Sequence, residues 1–129
     1  MSSPILESLG LSCPGVISLI GAGGKTSLMF GLARELAGSG HTVLSTTTTN
    51  LFFPTRNQSP VTLLAESAPD FLALSASALK DHCHVSAGTC YMPETGKVKG
   101  FAAGAIDEIW HAGMFDWILV EADGSRQLP

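Results

Sequence analysis

Apolar residues along the chain recur with two alternating rhythms, short continuous runs and longer stretches at helical spacing. The run Val16-Ile17-Ser18-Leu19-Ile20 predicts a buried strand over residues 15–20. From Thr26 onward Leu28, Met29, Leu32, Ala33, Leu36 and Ala37 fall on one face of a helix, and Gly38-Ser39-Gly40 supplies its stop. Residues 41–49, rich in β-branched side chains, predict a second strand, closed by a loop over 50–60 that carries two prolines. A short third strand is expected at 61–64. Ser67-Ala68-Pro69-Asp70 has the S-x-x-D form of a capping box and opens a helix ending near Lys80, with Phe71, Leu72, Ser75, Ala78 and Leu79 on its periodic positions. Residues 82–87 predict a fourth strand. Pro93-Glu94-Thr95-Gly96 separates two extended stretches between Cys90 and Lys99, the pattern of a hairpin standing outside the core. A helix over 102–111 turns Ile106, Ile109 and Trp110 inward. The stretch 115–120, apolar apart from Asp116, then reads as a central parallel strand covered on both faces. Alternating strands and helices predict βαβ units, hence an α/β fold of three layers with a mostly parallel sheet, formed as a single domain by residues 1–129, and the glycine-rich turn that leaves its first strand makes that domain P-loop NTPase-like.

Between the first strand and the first helix lies Gly21-Ala22-Gly23-Gly24-Lys25-Thr26-Ser27. Glycines let a backbone turn through positive φ and point several N–H groups at one anion, and the following helix adds the positive end of its dipole. In this loop Lys25 is the candidate for the β- and γ-phosphates and for catalysis, and the Thr26 hydroxyl is a candidate ligand of Mg²⁺. The usual G-x-x-x-x-G-K-[ST] spacing needs a glycine at position 19, where this chain has Leu19, so the loop is about two residues short.

The last apolar strand carries a second chemical signal. Trp117-Ile118-Leu119-Val120 is followed by Glu121-Ala122-Asp123-Gly124, four apolar residues and then an acid, which is the Walker B form. A carboxylate at the carboxyl end of a buried strand beside strand one can hold Mg²⁺ directly or through water. Glu121 stands where aspartate is usual, and its extra methylene makes it a candidate for orienting an attacking water, with Asp123 the other candidate metal ligand. The threonines 46–49 end the second strand at the same edge; because alternate strand residues point away, Thr47, Thr48 and Thr49 are individually candidates to line the site. Arg126, just past the acidic pair, is a candidate for phosphate charge.

Three segments occur in a particular order: G-A-G-G-K-T-S, then S-T-T-T-T-N at 45–50, then I-L-V-E-A-D-G-S-R at 118–126. In these the chain resembles the YqeC family. That resemblance spans nearly the whole sequence. It implies a cytoplasmic P-loop nucleotide binder that serves as an accessory protein in the maturation of molybdenum-containing, selenium-dependent hydroxylases, with such a hydroxylase as client. It also implies that these residues are an amino-terminal portion of a longer protein, truncated at the C-terminal end. Self-association is therefore expected through the face that later residues would cover, near Phe115 or Trp117.

Composition narrows the alternatives. Net charge is −4, and the seven Lys and Arg residues form no dense cluster, which argues against nucleic acid as a partner. The early apolar stretch is broken by Pro14, Gly15 and Ser18 and has no basic segment before it, so no membrane span or signal peptide is expected, and Cys13 lacks the aliphatic residue three positions earlier that lipid attachment needs. The three cysteines, an odd number, read as reduced thiols. His82, Cys83, His84 and Cys90 resemble metal ligands, but no C-x-x-C pair completes a tetrahedral set, and a buried Cys83 between edge histidines is expected instead. Lys97 and Lys99 read as solvated. The residues leave open hydrolysis of a nucleoside triphosphate, a non-catalytic nucleotide-binding module, and a small-molecule kinase or nucleotidyltransferase. Without a base-reading N-K-x-D motif, ATP is the default ligand, with Mg²⁺.

Overall fold

In the computed structural model residues 15–20 and 23–122 are described. Five strands form a parallel sheet: β1 (Gly15–Leu19), β2 (Val43–Thr47), β4 (Thr62–Leu64), β5 (His84–Gly88) and β8 (Trp117–Glu121), in the order β1-β8-β2-β5-β4. Helix α1 (Lys25–Gly38) covers one face, and α2 (Ala68–Ala78) and α3 (Ala103–His111) cover the other. The result is a three-layer α/β arrangement. Strand alternation explains the two cores. Leu19, Val43, Trp117 and Leu119 meet Met29, Leu32, Ala33 and Leu36 of α1, whereas Leu44, Val85, Ile118 and Val120 meet Phe71 of α2 and Ile106 and Ile109 of α3.

β8 lies between β1 and β2 in one-to-one register and is buried from Trp117 to Val120, as a continuous apolar run demands. Burying each such Ile or Leu side chain contributes roughly 1.5–3 kcal/mol before entropy is counted. The caps are local. Gly24 takes φ 77° as the N-cap of α1, the Ser67 hydroxyl accepts a hydrogen bond from the Asp70 amide at 3.2 Å to start α2, and α3 begins at Ala102 with no side-chain cap.

Several expectations are corrected. The 50–60 loop contains a strand, β3 (Asn50–Phe52), which pairs antiparallel with β7 (Lys97–Lys99), itself paired with β6 (Cys90–Met92). The hairpin is therefore no excursion: its Val98 and the facing Leu51 are buried. Two glycines make the docking of this second sheet close. A Cβ on Gly88 would meet Val98 and the Lys99 carbonyl, and one on Gly100 would run into the Thr47 carbonyl. Each of these strands has three residues, and β3 and β7 bury one apolar side chain apiece while β6 buries none, too little for periodicity to register. Strand two begins at Val43 rather than at His41, because the Thr42 amide donates to Asp116 Oδ2 at 3.1 Å. Cys83 is exposed and His84 buried, the reverse of the expected order, since β5 starts only at His84. Phe115 and Trp117 are likewise buried, and the apolar side chains left open near β1 are Val16 and Ile20. No helix among the described residues is long and apolar enough to cross a membrane.

Candidate functional site

The carboxyl edge of β1, β8 and β2 gathers the residues singled out in the sequence. Gly23 and Gly24 take φ of 55° and 77°, left-handed values that a side chain would strain, and the chain enters α1 directly at Lys25. Leu19 and Glu121 are register partners, so the turn leaving β1 lies against the end of β8. Two contacts tie them together. The Thr26 hydroxyl donates to Glu121 Oε2 at 2.6 Å, and the Lys25 ammonium donates to the Ala122 carbonyl at 2.8 Å. A hollow of about 300 Å³ opens beside the turn, lined by Ser18, Leu19, Ile20, Gly23, Gly24 and Lys25 among others.

The threonine run joins the same edge from β2. Thr47 Oγ1 donates to the Glu121 carbonyl at 2.8 Å and accepts from the Thr49 amide at 3.0 Å, while the Thr48 amide donates to the same Glu121 carbonyl at 3.2 Å. Thr47 is buried; Thr48 and Thr49 are half-buried. Thr46 points to the other face and donates to the Ala87 carbonyl at 2.7 Å, as strand alternation requires. Ser27 is exposed on α1. Of the remaining candidates, Gly21, Ala22, Asp123 and Arg126 lie outside the described residues. Lys25, Thr26, Glu121 and the threonines are thus brought together. The part of the Ala122 carbonyl carries no sequence signal, because a main-chain acceptor exists at every residue.

A different group of titratable side chains sits at the amino end of β5. Arg34, Arg56, His82, Cys83 and His84 line a cavity of about 290 Å³ with Asp81 at its rim. Burial lowers the His84 pKa to about 4, so the ring is neutral at neutral pH, and its Nε2 lies 2.7 Å from Ser45 Oγ. Among the described residues no group of three or more His, Cys, Asp or Glu side chains is placed to hold a metal ion. Of these side chains His84 is the buried one, bonded to Ser45 and set against the Phe30 ring, whose centroid lies 6.1 Å from its own.

A family model described as YqeC protein matches residues 17–129, from β1 through the glycine turn to the end of the chain. The chain belongs to the YqeC family. It is 44% identical over 116 residues to the "Uncharacterized protein YqeC" of Escherichia coli (strain K12), a match covering 90% of this chain and 43% of the relative. The chain therefore spans less than half the length of that curated relative. No solved structure matches it.

Proposed function

We propose that this YqeC-family chain binds a nucleoside triphosphate, ATP by default, together with Mg²⁺, and that it hydrolyses or transfers the terminal phosphoryl group. The observation carrying this reading is the 2.6 Å contact between the Thr26 hydroxyl and the Glu121 carboxylate, with Lys25 one residue away. Hydroxyl and carboxylate oxygens are the hard ligands Mg²⁺ prefers, an ammonium and glycine amides suit phosphate, and all of them converge at one strand edge. Thr26 and Glu121, with Asp123, would hold the ion; Lys25 and the amides at Gly23 and Gly24 would hold the phosphates. The ion would supply charge neutralisation at the phosphates. Lys25 would exchange the Ala122 carbonyl for phosphate oxygens, and Glu121 would orient the attacking group from the end of β8. The family resemblance supplies the setting, an accessory role in maturing a molybdenum-containing, selenium-dependent hydroxylase. Cytoplasmic location and that client belong to the same proposal.

A ligand that binds only the folded state stabilises it by RT ln(1 + [L]/Kd), about 2.7 kcal/mol at a hundredfold excess over Kd, which corresponds to a rise in melting temperature on the order of 10 °C. Millimolar ATP with Mg²⁺ should produce such a rise, and Lys25→Ala should remove it. No rise in the wild-type protein would refute the assignment. A second reading, a non-catalytic nucleotide module, is favoured by the engagement of Glu121 with Thr26, which occupies the one described carboxylate at this edge. Phosphate release that Glu121→Gln slows while nucleotide still binds would support an enzyme; its absence from the wild type would support the module.

A further inference from the structure

On the far side of Glu121 from the glycine turn lies a cleft of about 480 Å³, lined by Thr48, Thr49, Asn50, Lys99, Gly100 and, beyond them, Phe101 and Ala102. We propose that this cleft binds a second small ligand bearing an anionic group, phosphate or carboxylate, next to the nucleotide; the placement beside a nucleotide rests on the function proposed above.

Four observations converge. The cleft is built by close packing: the Gly100 amide donates to the Thr49 carbonyl at 2.8 Å and the Phe101 amide to the Thr47 carbonyl at 3.0 Å, and a Cβ on Gly100 would run into that Thr47 carbonyl. Its walls are thus pinned at the base. Among the described residues its lining has one charged side chain, the exposed Lys99, and no carboxylate, although the chain as a whole carries 11 acids against 7 Lys and Arg. Among the described residues the ion pair that forms is His41–Asp116 at 3.4 Å, so the Lys99 ammonium is uncommitted there. In an acidic protein, a cleft with a cation and only neutral partners favours an anion.

The remaining lining groups define what surrounds that charge. Asn50 and Lys99 are cross-strand partners on the outward face of the second sheet, and Thr48 and Thr49 line the cleft beside them. Two register positions farther along, outside the cleft's lining, Phe52 is 65% exposed with the Lys97 ammonium 4.8 Å from its ring centroid. The part of the ligand held in the cleft is therefore polar and anionic. Position completes the picture. The Thr48 amide is bonded to the Glu121 carbonyl, and the Glu121 carboxylate to Thr26, so a single residue separates the cleft from the glycine turn. That places the second ligand on the same edge as the phosphates of a nucleotide, the arrangement needed for an acceptor.

Inorganic phosphate is the probe, followed by amide chemical shifts in the wild type, Lys25→Ala, Lys99→Ala and Lys99→Arg. The expected result is two responding groups, one at residues 23–28 and one at Thr48, Thr49, Gly100 and Phe101. Lys25→Ala should remove the first and spare the second. Lys99→Ala should weaken the second at least tenfold with the first intact, and Lys99→Arg should restore most of it. Phosphate that moves only residues 23–28, a cleft response that survives Lys99→Ala unchanged, or an equal response to chloride at matched ionic strength would each overturn the proposal. A cleft response with no response at 23–28 would leave this site standing and sink the nucleotide reading instead.

Discussion

Val16 of β1 and Ile118 of β8 are register partners on adjacent parallel strands, yet Val16 is 43% exposed and Ile118 is fully buried. The difference is coverage. β8 has a strand on either edge and helices on both faces; among the described residues β1 has a single strand neighbour, and only its Ile17 and Leu19 side is packed beneath α1. The glycine turn hangs from the open strand, whereas the acid that completes the site stands at the end of the closed one. Lys25 and Thr26 cross from one to the other, so the positional accuracy of the glycine turn is borrowed from β8 through two hydrogen bonds.

The largest effect should come from cutting into the closed strand. Ile118→Ala removes a side chain with no solvent contact and leaves a cavity between Leu44, Val85 and the α3 residues, at a cost of roughly 3–5 kcal/mol by urea unfolding. Val16→Ala, its register partner, should cost under about 1 kcal/mol. Equal losses would mean that Val16 is covered in solution and that the contrast between the strands is wrong.

Next comes His84, on the α1 side of the sheet. Its folded-state pKa of about 4 lies below the ordinary 6.5 because burial disfavours the charged ring. Between those values the unfolded chain takes up a proton that the folded chain refuses, so stability falls as pH drops from about 6.5 to about 4, by about 3 kcal/mol in all, and levels off below. Urea midpoints measured across that window for wild type and His84→Gln should differ in slope, the variant being flatter. Parallel curves would show that His84 protonates without cost.

Much of this was legible in the sequence, and the failures have a common cause. The continuous apolar run at 117–120 and the helical spacing from Met29 to Leu36 report burial directly, because strands and helices of that length repeat their environment several times; Leu28, in the first turn of α1, is expected on the same face but is 43% exposed. Lys25, Thr26 and Glu121 were legible because a glycine turn after a strand and an acid ending another are brought together by any parallel sheet that places those strands side by side. β3, β6 and β7 were not, since three residues give at most one inward side chain and no period. The second cleft escaped for the same reason: it exists only once Asn50 and Lys99 become cross-strand partners, a long-range pairing that neither segment encodes alone.

A smaller effect should follow from cutting the bridge between the strands. Thr26→Val removes the hydroxyl that donates to Glu121 and leaves the half-buried carboxylate one partner short, at a cost of about 1 kcal/mol without ligand, since hydrogen bonds to charged groups are worth somewhat more than neutral ones but water can reach this one. Because the same hydroxyl is a proposed Mg²⁺ ligand, the variant should also lose most of the difference between stabilisation by ATP with Mg²⁺ and by ATP with EDTA. Calorimetric melting under both conditions reads the two effects separately. A Thr26→Val protein that keeps the full Mg²⁺ increment would remove Thr26 from the metal site while leaving its structural bond in place.

The smallest change in stability, and the one with a separate readout, belongs to the open strand itself. Val16 and Ile20 are 43% and 51% exposed, and apolar side chains beside a strand edge left unpaired among the described residues favour pairing with a second copy of the chain. Sedimentation at micromolar concentration should show mass rising with concentration, and the double substitution Val16→Thr, Ile20→Thr should return it toward the monomer. Threonine keeps the β-branch that the strand geometry prefers, and little buried area is lost, so the unfolding free energy should move by less than about 0.5 kcal/mol. Association that the double variant leaves unchanged would place the contact elsewhere, with the exposed Phe52 and Tyr91 of the second sheet and the adjacent Phe53 the next surface to substitute. A chain that stays monomeric at every concentration would mean that the openness of β1 is tolerated by the fold as it stands, and that the contrast with β8 bears on the site alone.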